Sequence, residues 1–454
     1  MPDTTAERLA RHRQIICRRW PHVWAALESA VPPAGVVLTE DTPEPTLCVD
    51  GVHLTSAYNR RAEAELQASA VPRESESAWV YGLALGDLVR VLLEREVLRR
   101  LTVVVMSPAV AYQSLRSVDH ADWLADPRVD LVLAASQTTV HRPFAVAPAC
   151  LRLAGEDAAR LRDLVALELN AMRLSRYFAA LQRQYQAAIE ANLARYASDG
   201  DAGALFGAHQ GGVAAVAAGG PTLSDQYRWL AAHRHRLALI AVTTALLPLH
   251  RAGFIPDAAV VVDHMPEILA HFQGLDTTAL VRTPLVYFPT VHPDVLRWWP
   301  GPRLMAYPWP QQPHLAGLAQ QLPRASLFCS GTVTHAAVDL AVRLGARQVV
   351  LLGADFSFPR GRTHADGAAE ARPAGETAAH RLWVLDGHGR RVPSAFNLRA
   401  YLRDLEAYIA RHPHVTFVNT GRDGARIEGA LWLDELDDLA WSSDGRAPME
   451  QPHV

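Results

Sequence analysis

The chain has little cysteine. Its four cysteines, Cys17, Cys48, Cys150 and Cys329, form no CxxC pair. That spacing excludes a zinc knuckle and a redox dithiol, and reduced thiols are expected, as in the cytoplasm. There is also no apolar run of about 18 or more residues, so no membrane span is expected. The nearest approach, LALIAVTTALLPL at 237–249, reads as a buried strand followed by a helix. The opening segment, MPDTTAERLARHRQ, lacks the apolar stretch of a secretory leader. An excess of one charge is missing as well: Lys+Arg 44 against Asp+Glu 47 leaves a formal net charge of −3. A nucleic-acid partner, which calls for a strongly basic face, is not expected.

What the chain does have is length and core-forming residues. At roughly 100–200 residues per domain, its 454 residues predict two or three domains. Hydrophobic residues at 49% and charged residues at 20% allow large cores and argue against wholesale disorder. Residues 76–95 (ESAWVYGLALGDLVRVLLER) and 99–108 (RRLTVVVMSP) read as strand, glycine turn, helix and strand, the rhythm of a parallel sheet. Residues 155–197 hold apolar positions at three- and four-residue spacing with no proline, which predicts one long helix or a helical pair. From about residue 211 the strand–helix rhythm resumes. The expected layout is an N-terminal α/β domain over 1–150 with a leading helix, a helical connector over 151–205, a second α/β domain over 206–440 and a flexible tail over 441–454.

Several stretches of the second domain are suited to chemistry. AGGPTLSD (218–225) falls where a strand gives way to a helix. Glycine there lets the backbone approach a phosphate, and a helix start offers free N–H groups and a positive dipole end. An ordinary tight turn, with Ser224 or Asp225 as cap, explains the same residues. Ser330, Gly331 and Thr332 precede an amphipathic helix and make either a second anion site or a plain N-cap. Asp263 and Asp355 end strands, where a carboxylate can hold a ribose, a metal or an acceptor hydroxyl, or simply cap a helix or pair with a loop cation. His364, in GRTHADG (361–367), is a candidate general base because imidazole titrates near neutral pH, although most histidines are structural. NTGRDGARIEGA (419–430) is a turn-rich loop able to cover a nucleotide base. Trp298, Trp299 and Trp309 form either a sugar platform or packing. Arg360 and Arg362 are loop arginines, able to face an acidic group or remain solvated.

Taken in order, AGGPTLSD, PDAAVVVDHMPE, SGTVTHAAVDLAVRLGARQVVLLGADFSFPRGRTHADG and NTGRDGARIEGA resemble the motility accessory factor family of flagellin glycosyltransferases over about residues 214–430. In the first domain, SAYNRRAEAEL and VYGLALGDLVRVLLE are similar to that family's N-terminal region. The same order is similar to small bacterial sialyltransferases. The resemblance implies an α/β fold of two Rossmann-like domains with a helical connector, the C-terminal one sialyltransferase-like, a GT-A-like variant. It implies a CMP-activated nonulosonic acid, pseudaminic or legionaminic, as donor and Ser or Thr of flagellin as acceptor. Carried over by motif, Gly219, Gly220, Pro221, Thr222 and Asn419 contact the nucleotide, with Thr222 where the sialyltransferases have serine. Ser330, Gly331 and Thr332 hold the phosphate. Asp263 faces the ribose or phosphate side, Asp355 shares the catalytic edge, and His364 is the base. Arg360 or Arg362 takes the sugar carboxylate. No resident cofactor is implied, and Mg²⁺ is left open. Two other readings stand beside this one. The archaeal hydroxymethylpterin diphosphokinases are similar in the same core, and would move diphosphate from ATP to 6-hydroxymethylpterin with Mg²⁺ on Asp263 or Asp355. The other is a non-catalytic flagellin-binding protein.

Overall fold

The computed structural model describes residues 4–39, 42–375 and 382–435; the expected tail over 441–454 lies outside them. The chain divides into two compact units, Met1–Ala171 and Met172–Val454. The dividing point falls inside the helix Ala159–Ala180, which is followed after Leu181 by a second helix, Gln182–Tyr196. The expected connector over 151–205 therefore holds two helices and also takes in the strand Gly200–Asp201 and a 3₁₀ turn. Among the described residues no helix is long and apolar enough to cross a membrane.

The first unit holds a parallel sheet of four strands in the order Val129–Leu133, Arg100–Val105, Ser77–Tyr81, Phe144–Val146. Between Ser77–Tyr81 and the helix Asp87–Leu93 the turn passes through positive φ at Gly82, Ala84 and Gly86. A Cβ on Gly82 would stand 2.2 Å from that of Cys150, so glycine is required there for space as well as conformation. A three-stranded antiparallel meander, Val36–Thr39, Thr46–Val49 and Val52–His53, completes the unit.

The second unit is built on a nine-stranded parallel sheet. Its order is Leu431–Trp432, Thr416–Asn419, Gln348–Leu352, Val213–Ala217, Leu237–Val242, Ala258–Val261, Leu285–Tyr287, Arg303–Met305, Gly200–Asp201. Every residue of the five strands from Gln348–Leu352 to Leu285–Tyr287 is buried. Helices cover such a sheet on both faces, which is why its strands read as continuous apolar runs rather than as alternation. The helix Val333–Arg343 packs across the three strands Val213–Ala217, Leu237–Val242 and Ala258–Val261. The short strands Gly200–Asp201, Arg303–Met305 and Leu431–Trp432 carry too few residues to show a period, and sequence reading passes over them.

The topology fixes where a ligand belongs. From Val213–Ala217 the chain steps outward in one direction through Leu237–Val242, Ala258–Val261, Leu285–Tyr287 and Arg303–Met305. It then returns to place Gln348–Leu352 on the other side of Val213–Ala217. The order reverses between these two strands. In open parallel sheets the crevice beyond the carboxyl ends at such a reversal is the binding position.

Candidate functional site

An open cavity lies at this reversal. Ala218, Gly219 and Gly220 line it from the end of Val213–Ala217, and Gly353 to Ser357 from the end of Gln348–Leu352. Both glycines are there for space. A Cβ on Gly219 would fall 2.1 Å from Thr244 Oγ1, and one on Gly220 would fall 2.4 Å from both Asp355 Oδ2 and the Gly353 carbonyl. The amide of Gly220 donates to the Gly353 carbonyl at 2.9 Å, locking the two strand-end turns together. Of AGGPTLSD, only Ala218, Gly219 and Gly220 line the cavity; Pro221, Thr222 and the residues after them form the 3₁₀ helix Pro221–Gln226 outside its lining.

Asp355 does not present a free carboxylate to the cavity. The Thr222 amide donates to its Oδ2 at 2.9 Å and the Thr222 hydroxyl to its Oδ1 at 2.5 Å. The group is buried, and burial pushes it up to about 6, with the Thr222 bonds pulling the other way. The expected catalytic acid is instead the pin that holds Thr222, and with it the start of the 3₁₀ helix, against the neighbouring strand end. Gly424 also packs on this carboxylate, since a Cβ there would come within 2.4 Å of Oδ1.

Two α-helices begin at the cavity. Thr244 lines it at the start of the helix Thr243–Arg251, which has no side-chain cap. Thr332 and Thr334 line it at the start of Val333–Arg343, where the Thr332 hydroxyl accepts from the Thr334 amide at 3.4 Å. Unsatisfied N–H groups and the positive dipole ends of both helices favour an anion. The chain contains no lysine, and among the described residues no arginine lines the cavity. An anion in this cavity would be met by N–H groups and hydroxyls rather than by a cation.

Ser330 stands apart from the cavity lining, and its hydroxyl donates to Asp404 Oδ2 at 2.6 Å. Its amide donates to His335 Nδ1 at 3.1 Å, and His335 Nε2 meets the Tyr401 carbonyl at 2.9 Å. That pair of contacts puts the ring proton on Nε2, and burial holds the imidazole down to about 4, hence neutral. Gly331 takes a positive φ of 84° and packs against the Tyr401 ring. The Ser-Gly-Thr element is therefore divided: Ser330 and Gly331 brace the loop, while Thr332 faces the cavity.

His364 reaches the cavity lining beside Thr363. Its loop is tied to the glycine turn, the Ala365 amide donating to the Gly219 carbonyl at 2.9 Å. Burial lowers its affinity for a proton, partly opposed by the Glu370 charge, so the ring is neutral and able to accept a proton at neutral pH. Asp263 ends the Ala258–Val261 strand side of the same edge, but is not among the cavity-lining residues. It stays accessible to solvent, yet surrounding protein strips part of its hydration and, with Glu370, pushes its carboxyl above the usual range.

The remaining expected residues are engaged elsewhere. Arg360, at a positive φ of 57°, bonds Asp225 at 2.7 Å and Asp423 at 3.0 Å, and Arg362 pairs with Asp366. Neither lines the cavity. Both charges are already matched by carboxylates, so a sugar carboxylate would have to displace one. Asn419 is buried and serves its own loop, donating to the Ala425 carbonyl at 3.2 Å and accepting from the Gly421 amide at 3.2 Å. Trp299 is buried with its Nε1 on the Thr283 carbonyl, and Trp298 packs on Phe272; Trp309 alone of the three is half-exposed. Thr244, Thr334, Ser357, Leu398 and Tyr401 line the cavity without having been singled out in the sequence. Thr243-Thr244 directly after a buried strand was the available signal.

No curated protein matches the chain. The structure is similar to one described as a Maf glycosyltransferase from Magnetospirillum magneticum AMB-1, at 19% identity and a TM-score of 0.47, covering 97% of this chain and 77% of that one. Residues 188–361, the part of the chain that holds the strand reversal, the glycine turn and both helix starts, match the family described as 6-hydroxymethylpterin diphosphokinase MptE-like.

Proposed function

We propose that the chain is a glycosyltransferase that takes a nonulosonic acid, pseudaminic or legionaminic, from a CMP-activated donor to Ser or Thr of flagellin in the cytoplasm. One observation carries the reading: a cavity at the strand reversal ringed by two helix starts and four threonines, with the neutral His364 in its wall. The donor and acceptor rest on the sequence resemblance over residues 214–430. A phosphodiester carries a single charge, which N–H groups and hydroxyls can meet without a cation. In the transfer, the acceptor oxygen bonds to the anomeric carbon as the bond from that carbon to the phosphate oxygen breaks. CMP leaves with the electron pair, and the hydroxyl proton passes to His364.

The match over 188–361 favours a second reading, transfer of diphosphate from ATP to a hydroxymethylpterin. That reaction needs Mg²⁺ on the phosphates, held by one or two carboxylates. Asp263 is the carboxylate for it, because both oxygens of Asp355 are taken by Thr222. Calorimetric titration with CMP, ATP and GTP, with and without Mg²⁺, separates the two. CMP binding without metal is expected. Metal-dependent ATP or GTP binding with none for CMP would replace the first reading by the second.

A further inference from the structure

Arg360 is held in a left-handed backbone conformation, with φ at 57°. Such a conformation is uncommon outside glycine, asparagine and aspartate. It is costly, and persists only where the surroundings over-determine it. What surrounds Arg360 is a pair of carboxylates. Its Nη1 and Nη2 donate to Oδ1 and Oδ2 of Asp225 at 3.1 and 2.7 Å. Its Nε and Nη2 donate to Oδ2 of Asp423 at 3.3 and 3.0 Å. The other oxygen of Asp423 lies 3.5 Å from His388 Nε2 and 3.7 Å from Arg390 Nη2. The Arg360 guanidinium is the chief reason that the Asp423 carboxyl stays below the usual range.

These three charges stand on three segments that build the cavity and its backing. Arg360 lies between Ser357 and Thr363, which both line the cavity. Asp225 belongs to the 3₁₀ helix Pro221–Gln226, which starts directly after the lining glycines. Asp423 belongs to the turn closed by the Gly424 amide on the Gly421 carbonyl at 3.1 Å. That turn is wedged against the Thr222–Asp355 pin. A Cβ on Gly421 would fall 2.3 Å from Thr222 Oγ1, and the Ala425 amide donates to the Asp355 carbonyl at 2.7 Å. The pin joins two of the segments from inside, and the Arg360 fork joins all three from outside. Isolated exposed ion pairs add little, whereas a bidentate arginine shared within a network does contribute. A lysine, with its compact charge, has no such fork.

We infer that Arg360 is a positioning residue that clamps these segments together from outside the cavity and so fixes the spacing between the glycine turn and the Gly353–Ser357 wall. The inference rests on the reading of this cavity as the donor site. The left-handed backbone at Arg360 is the conformation in which one guanidinium reaches both carboxylates. Asparagine or aspartate would suit that backbone better, but neither can fork to Asp225 and Asp423. The side chain kept here is the one that ties the segments, at the expense of backbone ease.

The test uses the full chain and begins without ligand. Amide hydrogen exchange is followed at Gly220 and Thr222, whose N–H groups donate to the Gly353 carbonyl and to Asp355. Wild type is compared with Arg360→Asn and with the charge swap Arg360→Asp, Asp225→Arg. Both replacements at position 360 tolerate the positive φ, so the unfolding midpoint should stay near that of wild type. Arg360→Asn should speed exchange at the two amides by up to about five-fold, the size that a surface ion-pair network can supply. The strand Val213–Ala217 should be unaffected, and CMP binding measured by calorimetry should weaken by a similar factor. The charge swap rebuilds an arginine between two carboxylates and should restore both properties in part. Unchanged exchange at Gly220 and Thr222 in Arg360→Asn would overturn the inference. So would undiminished CMP affinity, or equal acceleration in Val213–Ala217, which marks general destabilisation. If wild type binds no CMP, the function proposed above fails, while the amide exchange still decides the role of Arg360.

Discussion

Asp355 spends both carboxylate oxygens on Thr222, in a space that three glycines leave just open. The charged form is disfavoured there because burial removes its water, which two hydrogen bonds replace only in part. Its pKa of about 6 in the folded chain lies above the ordinary value near 3.9. The folded state therefore binds this proton more tightly than the unfolded one. The stability so contributed is complete below about pH 4 and is lost as pH rises through about 6. Asp355→Asn keeps an acceptor for the Thr222 amide and has nothing to ionise. Relative to wild type it should gain stability between pH 4.5 and pH 7, by up to ~3 kcal/mol. Denaturant midpoints at the two pH values check this. A constant difference between the proteins would show that Asp355 does not titrate in that window.

At the scale of elements, the site is an arrangement of helix starts. Thr332 is both the cap of Val333–Arg343 and part of the cavity wall. Thr332→Ala should cost about 0.5–1 kcal/mol of stability through the lost cap, and should weaken CMP binding several-fold by removing a hydroxyl from the wall. Thermal unfolding and calorimetry measure the two effects separately; a destabilised variant with undiminished CMP affinity would place the phosphate away from this helix. The elements themselves were legible in the sequence. Buried parallel strands are continuous apolar runs, and each of the turns at 218–220 and 330–332 carries glycine where a Cβ would collide. What local sequence could not give was which polar side chains are already taken. Ser330 is bonded to Asp404, Asp355 to Thr222, and Arg360 to Asp225 and Asp423, all partners brought together only by the sheet order.

At the scale of the whole molecule, the two units have separate cores. The nine-stranded sheet with its helices forms one continuous apolar cluster from Ile189 to Ile427, and the clusters of the first unit draw on residues between Ile16 and Val165. Every residue lining the cavity falls between Ala218 and Tyr401, within the second unit. A core of that size is ample for independent folding. The fragment 172–454 should therefore unfold in one cooperative transition and bind CMP with the affinity of the full chain. Circular dichroism melts and calorimetry on the purified fragment test both parts. A fragment that folds but has lost CMP binding would mean that residues of the first unit complete the site. One that binds CMP but no longer transfers sugar would assign the first unit to the acceptor, because donor binding and acceptor capture can fail separately only if different parts of the chain perform them.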